Sequence, residues 1–241
     1  IQETFLNLLR LRGNGRREEF WALRDISFTV EQGEAVGIIG PNGSGKSTLL
    51  KLIARILEPT MGHIAVNGRI SALLELGAGF HPDLTGRENI FLSGSILGLS
   101  RRDVEHRLDS IIEFADIGSF IDIPVRHYSS GMFMRLGFAI AINVEPDILL
   151  IDEILAVGDE AFQRKCLDKI GAFKRSGHTI LFVSHDLDAV RFLCDWALWI
   201  EKGIIRAQGE TKAVVDSYLQ EANIAEKKRL DRSEGAVVEV S

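Results

Sequence analysis

The sequence predicts an α/β fold: a parallel sheet with β hairpins at one end and a helical insertion in the middle. Three observations predict it. Buried apolar segments, Asp147 to Ile151 (polar only at its first residue) and Thr179 to Val183, alternate with stretches of helical period. Thr85 to Val144 reads as mostly helical. A glycine-rich turn, Gly40 to Gly45, stands between a strand-like and a helix-like segment.

In chain order, Phe5, Leu6, Leu8, Leu9 and Leu11 fit one face of a short helix, followed by Arg10, Arg12, Arg16 and Arg17 with no acid among them. Ala22 to Val30 alternates like a half-buried strand. Glu34 to Ile39 is strand-like between Gly33 and Gly40. Lys46 to Leu57 reads as a helix ended by Glu58-Pro59. His63 to Val66 and Ile70 to Leu76 are short strands around the turn signal Asn67-Gly68. Helices are expected over Glu160 to Arg175, Leu187 to Cys194 and Thr211 to Ala225. A charged stretch, Glu221 to Glu234, reads as a linker, and Gly235 to Ser241 as the first residues of another strand. The chain opens on Ile1 rather than Met, which reads as a fragment.

Composition excludes several classes. The chain has 241 residues, 28 Lys+Arg against 34 Asp+Glu, and 46% apolar residues, ordinary values for a globular domain. Disorder and a disulfide scaffold are excluded, and no apolar run approaches the roughly 18 residues of a membrane span. Cys166 and Cys194 read as buried free thiols. A formal net charge of −6 makes nucleic acid a poor partner.

The chemistry concentrates in four places. Gly40-Pro41-Asn42-Gly43-Ser44-Gly45-Lys46-Ser47-Thr48 matches G-x-x-x-x-G-K-[ST], a phosphate-binding loop. A phosphate chain needs several N–H donors on a tight turn, which glycines permit, and the following helix adds its positive end. Asn42, Gly43, Ser44, Gly45, Lys46, Ser47 and Thr48 are therefore the expected nucleotide contacts, with Lys46 on the β- and γ-phosphates and the Ser47 hydroxyl on Mg²⁺. The strand Asp147 to Ile151 ends in Asp152-Glu153. Adjacent strand residues face opposite ways, so Asp152 is assigned to the Mg²⁺ shell and Glu153 to an attacking water, as general base or orienting group. Phe182-Val183-Ser184-His185-Asp186 puts His185 at the end of a third core strand, where a neutral imidazole can sense a γ-phosphate. Tyr128-Ser129-Ser130-Gly131-Met132 opens a helix with hydroxyl and N–H groups suited to an anion, although taken alone it is only a good N-cap.

The order of these motifs resembles that of the ATP-binding cassette (ABC) ATPases, over nearly the whole chain. In that family Gly40 to Thr48 is the Walker A motif, Asp147 to Asp152 the Walker B strand, Glu153 the catalytic glutamate and His185 the switch histidine. Tyr128 to Met132 stands where the signature Leu-Ser-Gly-Gly-Gln is usual, and Asp159 of Ala156-Val157-Gly158-Asp159 where the D-loop aspartate touches a partner subunit. The resemblance implies an ABC-type nucleotide-binding domain over residues 1–220. Its parts are a RecA-like parallel sheet core, an antiparallel β subdomain and a helical subdomain at about 83–145. It also implies ATP and Mg²⁺, and a head-to-tail homodimer in which Ser129 and Gly131 of one copy cap the ATP held by the other. This sequence departs from the pattern at Tyr128, Ser130 and Met132. The usual Q-loop glutamine is missing where Glu75 or Leu76 stands. For the aromatic residue that stacks on adenine, Phe20 and Trp21 are candidates, a core role for Trp21 being equally open.

Leu73-Leu74-Glu75-Leu76-Gly77-Ala78-Gly79-Phe80 with the two variant motifs is similar to the ATPases that export bacterial cell-surface polysaccharides, O-antigen and teichoic acid. The resemblance implies an ATP-hydrolysing motor at the cytoplasmic face of the bacterial inner membrane, bound peripherally to a separate transmembrane permease dimer that handles a lipid-linked polysaccharide. The docking loop is expected at Gly77 to Pro82, and the Arg10 to Arg17 cluster is either near anionic headgroups or a solvated face. Some O-antigen members carry a carbohydrate-binding domain, and the tail from Gly235 is similar to the start of one. The alternatives are an exporter of another class, for drugs or lipids, or a non-transport nucleotide-dependent scaffold. A repair clamp needs a long coiled coil between Lys46 and Asp152, and a translation factor needs two cassettes.

Overall fold

The computed structural model describes residues 20–73, 76–77, 79–152 and 159–234, with side chains to Ile224. The expected helix at 5–11, the arginine cluster, Glu75, Glu153, Ala156 to Gly158 and the tail from Gly235 lie outside the described residues.

Six strands form one sheet among the described residues: β1 (Ala35–Ile39), β2 (Ile70–Ala72), β3 (Ile148–Ile151), β4 (Thr179–Val183), β5 (Trp196–Glu201) and β6 (Ile204–Glu210). Their order is β2-β3-β4-β1-β5-β6. The first five run parallel, and β6 returns antiparallel to β5. The return turn is Lys202-Gly203, with φ of 50° and 77°. Two successive positive φ angles match the twist of a two-residue hairpin.

The central strands β1, β3 and β4 are apolar on both faces because both faces are covered. Ala35, Ile39, Leu149, Ile151, Ile180 and Phe182 enter one core, and Val36, Ile38, Leu150, Leu181 and Val183 the other. Helix α1 (Lys46–Ile53) covers the second core through Leu49, Leu50 and Ile53. The first core takes α2 (Gly86–Ile96), α3 (Arg101–Ala115), α4 (Ser130–Asn143), α5 (Glu160–Arg175) and α6 (Leu187–Leu193). Short 3-10 turns, Gly118–Asp122 and Val125–His127, link α3 to α4, and α7 (Thr211–Glu234) follows β6. Helix α7 thus runs through the stretch that reads as a linker. Cys166 and Cys194 are free and buried, and burial pushes both thiols up to about 12.

The helix starts follow capping chemistry. Thr85 with Glu88 and Ser100 with Asp103 form capping boxes at α2 and α3. Ser129, Asp159 and Asp186 cap α4, α5 and α6. Helix α1 differs: it starts from Gly45 at φ 108°, with no side-chain cap and no acid in its first turn.

Periodicity misleads at three places. Ala22 to Val30 is expected as a strand but enters no ladder. Its alternation is real, since Ile26, Phe28 and Val30 pack on the second core, but alternation reports side-chain burial rather than backbone pairing. His63 to Val66 likewise forms no strand, so Asn67-Gly68 joins no hairpin. Instead β2 pairs in parallel with β3, and the Asp147 carboxylate accepts from the Arg69 N–H at 2.7 Å, closing over Gly68. Helix α1 stops at Ile53, short of Leu57, because Arg55 turns left-handed (φ 60°) and Ile56 N–H reaches back to Lys51 O at 2.9 Å.

The seat of α4 depends on two glycines. A Cβ on Gly137 would lie 2.8 Å from the Gly77 nitrogen, and one on Gly77 would lie 2.2 Å from the Phe133 ring. Backbone stands in the first path, so nothing can swing aside. Gly137→Ala is expected to destabilise by about 1–3 kcal/mol through overpacking. At about 2–4 °C per kcal/mol, thermal melting should show a clear fall, and an unchanged midpoint would contradict the packing.

Candidate functional site

The carboxyl ends of β1, β4 and β3 lie side by side. Register pairs Ile38 with Val183 and Phe182 with Ile151. Gly40, Ser184-His185 and Asp152 therefore leave one edge of the sheet within about 10 Å, two strand spacings. Ligands of open parallel sheets bind at this edge.

The glycine-rich turn has the shape a phosphate chain requires. Gly40 has φ 145°, and a Cβ there would sit 2.0 Å from Ile200 O. Gly45 has φ 108°, and its Cβ would strike the Leu23 side chain and Ala22 O. Ser44 N–H donates to Pro41 O at 3.2 Å, and Ser44 O accepts from Gly203 N–H at 3.0 Å, which anchors the turn to the β5–β6 hairpin. The Lys46 ammonium, 4% exposed, donates to Gly40 O at 2.9 Å and Pro41 O at 3.1 Å, and is thus drawn over the turn. Asn42, Gly43 and Ser47 are exposed, and Thr48 is half-buried.

Three features fit this turn to a polyphosphate. Ser44 is 2% exposed, and its hydroxyl has no hydrogen-bond partner among the described residues. Apart from its two chain neighbours, no described residue comes within 4 Å of where a Gly43 Cβ would stand. The start of α1 lacks the side-chain cap that α2 to α6 possess. The residues that would hold Mg²⁺ are Ser47, which is exposed, and Asp152, which is half-buried. Among the described residues no three His, Cys, Asp or Glu side chains gather as a metal cage.

His185 is exposed directly after β4, next to the Asp186 cap of α6. Phe20 and Trp21 are 89% and 41% exposed, so neither is a core residue. They lead into Ala22 and Leu23, which lie against Gly45 and Gly203.

Ser129 and Gly131 sit at the start of α4 in the helical block, and no hydrogen bond among the described residues joins them to the glycine-rich turn. Ser129 Oγ accepts from Met132 N–H at 3.2 Å. Two of the variant residues around them, Tyr128 and Met132, have structural roles. The Tyr128 hydroxyl donates to Phe120 O at 2.8 Å in space left by Gly86. Burial, and then the Asp122 charge, push it up to about 12, so it stays protonated. Met132 packs on the core. Leu76 is buried in the first core, so its side chain does not stand in for a polar glutamine. Asn89, fully buried, pins the segment after Gly77: its amide donates to His81 O, Leu84 O and Thr85 O and accepts from His81 N–H.

Asp159 uses both oxygens within its own chain. One accepts from Phe162 N–H at 2.9 Å, and the other takes Arg135 Nη2 at 3.0 Å. Sequence reading passed over Arg135. The available signal was that it is the one charge in an otherwise uncharged helix, α4.

A family model described as ABC transporter matches residues 23–156. The chain is 58% identical over 205 residues to the O-antigen export system ATP-binding protein RfbB of Myxococcus xanthus, covering 85% of this chain and 47% of that protein. It is 52% identical over 202 residues to the protein of the same name from Klebsiella pneumoniae (84% and 82% covered). To the teichoic acids export ATP-binding protein TagH of Listeria innocua it is 49% identical over 203 residues (84% and 60% covered). The chain thus spans about half the length of the first relative and most of the second. Among solved structures, an ATP-binding subunit of an ABC transporter superposes with a TM-score of 0.76 at 26% identity, covering 88% of this chain and 95% of that one. A dimeric post-hydrolysis ATP-binding cassette bound to ADP and Pi shares the fold, with a TM-score of 0.71 at 23% identity, covering 82% and 94%. With this match, the phosphate-shaped turn and the sheet edge beside it, the chain belongs to the ABC transporter family.

Proposed function

We propose that this chain is the ATP-hydrolysing motor of a bacterial exporter of lipid-linked cell-surface polysaccharide, O-antigen or teichoic acid. The observation that carries the motor reading is the orphaned Ser44 hydroxyl in a glycine turn whose lysine lies over it. The substrate class rests on the export proteins to which the chain is similar. No helix among the described residues is long and apolar enough to cross a membrane, and the export reading assigns passage to a separate permease dimer. The motor sits peripherally at the cytoplasmic face, with Gly77 to Pro82 as its docking segment.

In this reading Asn42 to Thr48 hold the phosphates of ATP, and Ser129 and Gly131 of a second copy cap the terminal one. Asp159 lies at the same junction between copies. Ser47 and Asp152 would hold Mg²⁺, which would neutralise charge on the phosphate oxygens when bound. Glu153 takes a proton from the attacking water as its oxygen bonds to the γ-phosphorus and the bond to the ADP oxygen breaks. His185 orients the terminal phosphate. Hydrolysis removes the group that bridges the copies, so the pair closes with ATP and opens afterwards.

The test compares phosphate release by purified wild type and Glu153→Gln. Loss of a general base lowers turnover about 10²–10⁴-fold, while the variant still pairs when ATP is added, because its phosphate contacts are untouched. Equal rates in the two proteins would remove Glu153 from the reaction.

A further inference from the structure

We propose that Arg135 is a positioning residue, locking the helix that presents Ser129 to the Asp159 cap so that both move as one piece. The inference rests on the two-copy reading above. Arg135 lies six positions after Ser129, about 9 Å along α4. Its side chain is 19% exposed and reaches two other segments. Nη2 meets Asp159 Oδ2 at 3.0 Å, while Nη1 faces Asp116 O at 3.4 Å and Asp116 Oδ2 at 3.7 Å. The guanidinium carbon lies over the Phe162 ring, 4.8 Å from its centroid. Asp116 terminates α3 in a left-handed conformation, and Asp159 starts α5. One side chain on α4 therefore ties the end of α3 to the start of α5.

Packing alone does not explain an arginine here. Phe114, Phe138 and Phe162 form a ring cluster that an apolar side chain would extend. Enclosing a guanidinium carries a desolvation penalty that an apolar residue avoids. A forked cation adds orientation, fixing the angle between segments as a sliding apolar contact does not. The segments are consequential ones. Asp159 stands six positions after Glu153 in the sequence, and α4 opens on the serine offered to the second copy. Arg135 carries a displacement at one to the other.

The experiment is a double-mutant cycle of Arg135→Met, Asp159→Asn and the double variant, with Arg135→Lys alongside. Asparagine keeps the cap and removes the charge. ATP turnover is measured below every variant's melting midpoint. Each single change should lower kcat about tenfold with KM for ATP within about twofold, since a positioning contact acts on the closed pair rather than on ATP uptake. The double variant should be no worse than the worse single one. Arg135→Lys should fall between, because an ammonium holds one partner where the fork holds two. If Arg135→Met does not fold, Asp159→Asn and Arg135→Lys decide by the same kcat criterion. A lowered melting midpoint with unchanged kcat, or additive losses in the double variant, would overturn the inference alone. A wild type that never pairs on adding ATP would sink the two-copy reading and this inference with it.

Discussion

Lys46→Met is expected to lower ATP turnover about 10²- to 10³-fold, the usual result of removing one preorganised charge-stabilising donor. Methionine keeps the apolar stem and discards the ammonium. In the structure that ammonium is buried and hydrogen-bonded to the carbonyls of Gly40 and Pro41, so it is held in the turn before any nucleotide arrives. Removing it has two separable effects. The two carbonyls lose a donor, which costs about 1–3 kcal/mol of stability. The phosphates lose a desolvated positive charge, which costs affinity as well as rate. Thermal melting with and without ATP separates them. ATP at a hundredfold over its Kd should stabilise the wild type by about 2.7 kcal/mol, a rise of about 5–10 °C. The variant should melt lower and show no such rise. A variant turning over ATP within about threefold of wild type, far inside the 10²-fold loss expected, would mean that the turn does not hold the reacting phosphates.

The parts of this site that are local in sequence are legible there, and the parts that depend on which strand lies beside which are not. The glycine-rich turn is readable because its chemistry is backbone chemistry, and Gly40, Gly43 and Gly45 all adopt a positive φ, which side-chain-bearing residues disfavour. β1, β3 and β4 are readable because a strand covered on both faces must be apolar throughout, and their bounds fall within a residue of expectation. The starts of α4 and α5 follow from Ser129 and Asp159 as caps. Sheet order is a different matter. Nothing in Ile70 to Ala72 says that its neighbour is β3, 78 positions later, rather than the preceding segment. The Arg135–Asp159 contact is hidden for the same reason: its residues lie 24 apart on different helices. Only an isolated charge in an apolar helix hints that a partner must exist.

Ser129→Asp separates capping from recognition, two roles that Ser129→Ala would lose together. Ser129 is extended (φ −67°, ψ 160°), and its hydroxyl accepts from Met132 N–H. Aspartate caps as well as serine, and its charge favours the helix N-terminus, so the melting midpoint should hold or rise. In the second copy's site the same charge would stand against a terminal phosphate. Like charges brought together at an interface cost several kcal/mol. At 1.4 kcal/mol per tenfold, ATP-driven pairing should weaken about a hundredfold or more. Turnover should fall with it, because the proposed mechanism runs through the closed pair. Ser129→Asn is the neutral control: it keeps the cap without the charge, and it should pair far better than the aspartate. Sedimentation in the Glu153→Gln background reads pairing without hydrolysis intervening. If Ser129→Asp paired as tightly as its parent, no phosphate would stand before that helix, and the composite site would have to be built from other residues.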